Sequence, residues 1–356
     1  MTEYYNGAKV LSMKDLDGEE PWMYMVTSNR SAGKTTFFLK KFLTDFIESN
    51  GNKMFGLIYR HKYELSACAS IFSDVLSMYF SDYEMHSKTI AGIFHAIYIK
   101  KIDSNEDLIC GYAVSLNNTD VLKKYSSLFA KVEQWLFDEF QTESGVYLKN
   151  EIEKLQSVIF TVARGGGKQI RNIKLFMLSN KVAMNNPYFI YFQIYKRLKK
   201  DTRFLRGKGW VLECNKNDSA INAIKDNAIS RTFAESSYMN YVTTSNYLHD
   251  SSSFIVKDTP NGKFKYLFTI KHDDVQLGVR LYLDAGILYI SEKTDKTFKL
   301  VVTFQAENHT QNTIMLKNNS FLWQNVKDAM QGGYIRFDSL KTKDIIYLLV
   351  GIDMFN

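Results

Sequence analysis

Cysteine is almost missing from this sequence. The three that occur, Cys68, Cys110 and Cys214, lie far apart and form neither a paired disulfide framework nor a Cys-x-x-Cys metal-ligand spacing. They read as reduced thiols of a cytosolic protein. Proline is equally scarce, at Pro21, Pro187 and Pro260, and with 45% apolar and 14% aromatic residues the composition excludes long intrinsic disorder. Long apolar runs are absent too: nothing approaches the roughly 18 residues of a membrane helix, and Met1-Thr2-Glu3-Tyr4-Tyr5 begins no positive segment followed by an apolar core. The expectation is a soluble intracellular product with no membrane partner.

What is present is material for large cores, and 356 residues suggest two of them, because single cores rarely grow past about 250 to 300 residues. The net charge of +7 suits either a polyanionic partner or ordinary solubility. The densest basic run is Lys196-Arg197-Leu198-Lys199-Lys200, with Arg203, Arg206 and Lys208 close behind. It reads either as a phosphate-backbone contact or as a solvated helix face.

The most informative stretch is Thr27 to Thr36. Its residues Ser28-Asn29-Arg30-Ser31-Ala32-Gly33-Lys34-Thr35 fit a phosphate-binding loop, Gly-x-x-x-x-Gly-Lys-Ser/Thr, with Ser28 in the place of the leading glycine. Such a loop needs backbone N–H groups turned on the phosphates, a mobile cation for their β/γ oxygens and a hydroxyl for magnesium. Gly33, Lys34 and Thr35 supply these, and Ser28 can stand in for glycine provided its φ is negative. The setting agrees with the pattern. Trp22 to Val26 is an apolar run suited to a buried parallel strand, and Phe38, Leu39, Phe42, Leu43, Phe46 and Ile47 then recur at helical spacing before Gly51.

Further along, Met54 to Tyr59 reads as a second strand with Arg60 at its carboxyl end, where it could face phosphate or DNA. β-rich segments at Phe94–Ile99 and Leu108–Val114 suggest an antiparallel insertion. A polar turn from Leu116 then enters a short helix carrying Lys123 and Lys124, ordinarily solvated. Val132 to Phe137 is a strand ending in Asp138-Glu139, the Walker B pattern. Its chemistry needs two carboxylates with different tasks: Asp138 holds magnesium and Glu139 orients the attacking water. Arg164-Gly165-Gly166-Gly167-Lys168 is either an arginine-finger loop reaching a neighbouring subunit or a glycine hairpin with solvated charges. Ile173 to Leu178 is a strand delivering Ser179 and Asn180, polar residues able to sense a γ-phosphate.

With these pieces in order, the first 200 residues resemble the ATPase domain of viral DNA-packaging motors, the large-terminase branch of ring ATPases with an added catalytic glutamate. Arg30 resembles the terminase loop arginine that contacts phosphate. Leu178 to Phe189 resembles the packaging ATPases of small, protein-primed tailed phages, whose motor also contains a prohead RNA. The resemblance implies a homomeric ring, a pentamer, docked on the capsid portal through prohead RNA in the cytoplasm of an infected bacterium and pumping double-stranded DNA with Mg2+ and ATP. It also implies Arg164 as a trans-acting arginine finger and Lys124 as a second cation offered across the subunit interface, leaving Thr36 among the nucleotide-binding residues of the loop.

The expected fold is therefore α/β: a P-loop ATPase domain of the added-glutamate class with a mainly parallel sheet over 1–200, a helical linker over 201–250, and an RNase H-like domain over 251–356. After Pro260 strands are expected at Phe264–Ile270, Leu277–Leu283, Ile287–Ser291 and Phe298–Phe304, then helices at Leu322–Met330 and Leu340–Leu349 around a short Tyr334–Phe337 strand. A nuclease of that fold needs a carboxylate inside its first strand, and none is there. Asp273, Asp274, Asp284, Glu307 and Asp338 fall at strand ends or turns. A vestigial nuclease that binds DNA, RNA or the portal is expected, against two rivals: a terminase that still cuts, and an ATP-switched assembly protein without steady turnover.

Overall fold

The computed structural model describes residues 4–144, 147–183, 186–199, 201–244, 254–256, 258–316 and 320–354. The chain divides into two compact units, residues 1–249 and 250–356. Among the described residues no helix is long and apolar enough to cross a membrane.

The first unit runs α1 (Ala8–Leu11), β1 (Met23–Ser28), α2 (Lys34–Glu48), β2 (Met54–Tyr59), α3 (Ser73–Tyr79), β3 (Tyr83–Ile90), β4 (Phe94–Lys101), β5 (Asp107–Ser115), α4 (Thr119–Leu122), β6 (Val132–Asp138), α5 (Glu151–Val162), β7 (Lys174–Asn180), α6 (Pro187–Tyr191), β8 (Phe204–Gly207), β9 (Trp210–Cys214), α7 (Asp218–Lys225), α8 (Ala228–Thr232) and α9 (Ser237–Thr244). Its nine-stranded sheet has the order β3-β4-β5-β2-β6-β7-β1-β9-β8. The strands β5, β2, β6, β7, β1 and β9 pair in parallel, while β3, β4 and β8 are antiparallel edges. The phosphate-loop strand β1 is thus separated from β6 by β7, the arrangement of the added-glutamate class.

Burial explains the strands. All six residues of β1 are buried, as a parallel strand covered on both faces requires. From α2, Phe38 and Phe42 reach the sheet, where both rings meet Phe176 of β7 and Phe176 also stacks on Tyr24 at 5.3 Å. Each fully buried ring of this kind stabilises by about 1.5–3 kcal/mol. Trp135 lies so tightly over β2 that a Cβ on Gly56 would come within 2.2 Å of its ring, so only glycine fits there.

Residues 201–250 differ from the helical linker expected. Phe204–Gly207 and Trp210–Cys214 are strands, and β9 pairs in parallel with β1. The apolar run Trp210-Val211-Leu212 finds a partner edge beside the phosphate-loop strand, and that pairing satisfies its backbone better than a free helix could. Helices begin only at α7. The basic run is likewise no continuous helix face: Ile194–Lys196 is a single 3-10 turn, Leu198 is buried, and Arg197 donates to the carbonyl of Arg206. Lys200 lies outside the described residues.

The second unit contains β10 (Phe264–His272), β11 (Val275–Tyr282), β12 (Ile287–Ser291), β13 (Val301–Thr303), β14 (Thr313–Met315), α10 (Ser320–Gln331), β15 (Ile335–Phe337) and α11 (Leu340–Met354). Its sheet order is β14-β13-β10-β11-β12-β15. Three antiparallel strands, then two parallel additions beside the first of them, is the RNase H order, with β15 added at the far edge. Phe268, Ile270, Val279, Ile290, Val302, Trp323, Val326 and Ile346 form the core.

Candidate active site

β1 delivers Ser28 to the carboxyl edge of the sheet, and α2 starts at Lys34. Ser28 is absent from the residues with positive φ, so a serine serves where glycine is usual. Its hydroxyl donates to the Asn29 carbonyl at 2.8 Å and accepts from Lys34 Nζ at 2.7 Å. The loop turns through two left-handed residues, Ser31 at φ 59° and Gly33 at φ 90°. Asn29 and Ala32 are buried, Thr36 is half-buried in the first turn of α2, and the Ala32 carbonyl accepts from Tyr5 N at 2.8 Å. Lys34 is buried and also donates to Asn180 Oδ1 at 3.3 Å. Burial pushes its ammonium down to about 8, against the attraction of Asp138 and Glu139 and aided by nearby Lys181.

β6 brings the carboxylates to the same edge. Thr35 Oγ1 donates to Asp138 Oδ2 at 2.7 Å, and Glu139 N donates to Asp138 Oδ1 at 2.9 Å. These two oxygen donors, from Thr35 and Asp138, suit a hard cation that completes its shell with water and phosphate oxygens, so the residues fit Mg2+. Burial pushes the Asp138 carboxyl up, opposed by the Thr35 hydrogen bond and Lys34. Glu139 has φ 56°, and this left-handed backbone turns its side chain out of the strand alternation so that both carboxylates serve one cleft. Desolvation at the cleft, then the charges of Asp138 and Glu143, push the Glu139 carboxyl above its usual range, while Arg30 opposes.

Arg60 does not face phosphate or DNA, which corrects the expectation. Its guanidinium is buried in a two-pronged pair with Glu151, Nε to Oε2 at 2.9 Å and Nη2 to Oε1 at 3.0 Å, and also donates to the carbonyls of Glu139 and Phe140 at 3.2 and 3.0 Å. Tyr188 Oη and Leu148 N complete Glu151 at 2.5 and 2.8 Å. The cation therefore pins the strained turn that presents Glu139. Its place at the end of a buried strand was the only sign of it in the sequence; Glu151 and Tyr188 had none.

A second group surrounds Arg30. Its Nη1 donates to Tyr238 Oη at 2.6 Å and pairs with Glu143 Oε1 at 3.1 Å, Tyr238 Oη donates to Glu143 Oε2 at 3.3 Å, and Asn180 Nδ2 donates to Glu143 Oε1 at 3.4 Å. Asn217, which caps α7, ties that helix to the loop: its N–H donates to Asn29 Oδ1 at 2.8 Å and its Nδ2 to the Ala32 carbonyl at 3.4 Å. An asparagine ahead of an amphipathic run signals that cap. Nothing in the sequence pointed to Glu143 or Tyr238. The Ser179 hydroxyl beside Asn180 is buried and has no hydrogen-bond partner among the described residues.

Arg164 and Lys124 are not with the others. Residues 123–131 lead into the start of β6, and Arg164 follows the end of α5, which begins near Glu139 and runs back along the sheet. Arg164 thus lies at the amino edge of the strands, opposite its own phosphate loop, and Lys124 belongs to the segment 123–129 whose Ser126 and Ser127 pack beside the turn that follows Arg164. Gly165, Gly166 and Gly167 all have positive φ, and the turn at Gly165 packs on Ser126, Ser127 and Ala130. Arg171 fastens this edge by donating to the carbonyls of Phe129, Val132 and Val162. Arg164 and Lys124 are exposed, whereas Lys123 pairs with Asp120.

In the second unit no group of three or more His, Cys, Asp or Glu gathers among the described residues. Asp273 Oδ1 accepts from Gln305 Nε2 at 2.6 Å and Asp338 Oδ2 from Glu292 N at 2.9 Å, both in turn or strand-end roles.

Relatives match the whole chain. A DNA packaging protein of Bacillus phage phi29 is 25% identical over 350 residues, 97% of this chain and 96% of the relative. The structure is similar to that of the bacteriophage Phi-29 viral genome packaging motor assembly, with TM-score 0.59, 24% identity and 98% of each chain covered. It is similar in fold to the Phi-28 gp11 DNA packaging motor, with TM-score 0.58, 18% identity and coverage of 100% of this chain and 98% of that one. The profile of the family described as Podovirus DNA encapsidation protein (Gp16) matches residues 1–353, and this chain belongs to that family.

Proposed function

We propose that this chain is the ATP-hydrolysing subunit of a ring motor that drives double-stranded DNA into a preformed capsid. The observation that carries the reading is the convergence of Lys34, Thr35, Asp138 and Glu139 at one edge of the sheet, from strands separated by about a hundred residues of sequence. The backbone of Ser28 to Thr36 cradles the phosphates, and Lys34 leaves Ser28 and Asn180 to neutralise them. Thr35 and Asp138 would hold Mg2+, which when bound would supply charge neutralisation for the phosphates. Glu139, kept at its strained turn by Arg60, orients water and accepts its proton. Ser179 and Asn180 stand where loss of the γ-phosphate is felt.

Arg164 cannot serve its own loop from the opposite edge of the sheet. In a ring that edge meets a neighbour's site, so we assign Arg164 as a finger acting in trans and Lys124 as a second cation beside it. The fold is that of two phage packaging-motor structures, and the resemblance of Leu178 to Phe189 to the packaging ATPases of protein-primed phages carries the further assignment of a homomeric pentamer docked on the portal through prohead RNA in the host cytoplasm. The second unit, with RNase H strand order and no carboxylate in the interior of β10, is assigned to binding DNA, RNA or portal in place of cutting.

Phosphate release with and without duplex DNA tests the reading. Steady DNA-stimulated turnover supports it, and stoichiometric release without turnover would leave a nucleotide switch. Mixing Glu139→Gln with Arg164→Ala subunits tests the trans assignment: activity above the sum of the parents is expected, and its absence at every ratio removes Arg164 from that role.

A further inference from the structure

The face of the first sheet that α2 covers carries Asp138. Phe55 of β2 stacks on Phe42 of α2 at 5.7 Å, Gln134 of β6 accepts from Lys41 of α2 at 3.2 Å, and Asp138 accepts from Thr35 of α2 at 2.7 Å. Side chains alternate along a strand, so Phe55, Leu57 and Tyr59 share that face with Gln134, Leu136 and Asp138. Arg60 and Phe137 take the opposite face, with the guanidinium 5.4 Å from the ring. The parallel register of β2 and β6 puts Ile58 opposite Phe137, and its next step sets Tyr59 beside Asp138. On its other flank Tyr59 is opposite Ser115 of β5.

Ser115, Tyr59 and Asp138 therefore form one row at the carboxyl edge of the sheet, under the start of α2. Asp138 is engaged at both oxygens, by Thr35 and by Glu139 N. The hydroxyls of Tyr59 and Ser115 are buried, and neither has a hydrogen-bond partner among the described residues. An unmatched buried hydroxyl is destabilising, so its retention beside a metal-binding carboxylate points to a state in which it is matched. Burial pushes the Tyr59 phenol well above its usual range, with Cys68, Asp138 and Glu64 adding to the effect, so the group stays protonated and can both donate and accept. Mg2+ keeps several of its waters when a protein binds it, and each of those waters is a donor in need of an acceptor. Both oxygens of Asp138 already accept, which leaves Tyr59 Oη as the next oxygen of the row.

We propose that Tyr59 is a positioning residue for the cation: its hydroxyl accepts a hydrogen bond from water on the Mg2+ that Thr35 and Asp138 would hold, and orients that water without coordinating the metal itself. Two consecutive residues at the end of β2 then support the two acids that end β6. Tyr59, on the face of α2, serves Asp138, and Arg60, on the opposite face, holds the turn of Glu139. This rests on the reading of the loop as a Mg-ATP site.

Tyr59→Phe keeps the ring and removes only the hydroxyl. In full-length protein, held in excess over a non-hydrolysable ATP analogue, Mn2+ is titrated in place of Mg2+ and its free fraction read by electron paramagnetic resonance. Tyr59→Phe should weaken Mn2+ binding by about tenfold, while the affinity for the analogue in EDTA stays that of the parent. The empty variant should melt no lower than the parent, since it loses no hydrogen bond. Ser115→Ala removes the other unmatched hydroxyl, one strand farther from Asp138, and should leave Mn2+ affinity unchanged. In an Asp138→Asn background Tyr59→Phe should have no further effect. Unaltered Mn2+ affinity in Tyr59→Phe overturns the assignment, as does an equal loss of analogue affinity with and without metal, an equal effect of Ser115→Ala, or a lowered melting temperature, which would show the hydroxyl bonded in the empty protein. The two readings fail differently. If the parent binds the analogue no more tightly with Mn2+ than in EDTA, the Mg-ATP site itself is refuted; if the parent responds to metal and Tyr59→Phe matches it, Tyr59 alone is removed.

Discussion

The two units place their charges differently. In the first, the strands in the middle of the sheet are parallel, so β1, β6 and β7 end at one edge and bring Lys34, Asp138, Glu139 and Asn180 together. In the second, β10, β11 and β12 are antiparallel, so alternate strand ends point opposite ways and the acids at turns are scattered to both edges. Even the buried cations follow this rule. Arg60 of the first unit is matched by a carboxylate and holds a catalytic turn, whereas Arg280 of the second donates to Ser291 Oγ at 2.7 Å and to the Lys293 carbonyl and lies over the rings of Phe264 and Tyr266. One sheet concentrates charge where chemistry can use it; the other consumes its polar groups in holding itself together.

The change that breaks the comparison most severely is Glu139→Gln. It should lower ATP turnover by about 10²–10⁴-fold while nucleotide binding persists, measured as phosphate release beside equilibrium binding. Next is Arg60→Met, which strands the buried Glu151 carboxylate and should cost about 3–5 kcal/mol of stability in a denaturant titration. Arg280→Met leaves only neutral partners behind and should cost less in the same measurement, a difference that would vanish if both cations were merely packing.

Acidity sharpens the contrast further. Glu139 must be ionised to accept a proton, and its carboxyl is held above the usual range, so the acid limb of the rate profile should lie higher than an ordinary glutamate allows. Glu143→Gln removes one of the charges that raise it and should shift that limb to lower pH. On the alkaline side Lys34 in the empty site loses its proton near pH 8, so nucleotide affinity should fall by up to about tenfold per pH unit above that value, because binding must then take up a proton. The smallest effect belongs to the second unit: Asp284→Asn, at an exposed turn, should leave stability within about 0.5 kcal/mol and ATP turnover unchanged, and supercoiled plasmid with manganese should stay supercoiled with the parent protein.

Much of this was legible residue by residue. The apolar run before Ser28 and the three- and four-residue spacing after Thr36 specify strand, loop and helix, because burial of one face and local hydrogen bonding are properties of neighbours in sequence. The same holds for β6 and for β10 to β12. Residues 204–214 were misread because a short apolar run between basic residues is strand only if a free sheet edge waits for it, and β1 supplies that edge.

The sequence by itself therefore determined the chemical parts: Lys34 and Thr35 in a phosphate loop, Asp138 and Glu139 closing a strand, and a first strand of the second unit without an interior acid. Only the tertiary structure decided what those parts meet. It paired Arg60 with Glu151 and so fixed the turn of Glu139, set Arg164 on the edge away from its own loop, and brought Tyr238 to Arg30 across 208 residues. The physical reason is that strand order and helix packing choose partners by the closure of the whole sheet, which no local spacing encodes.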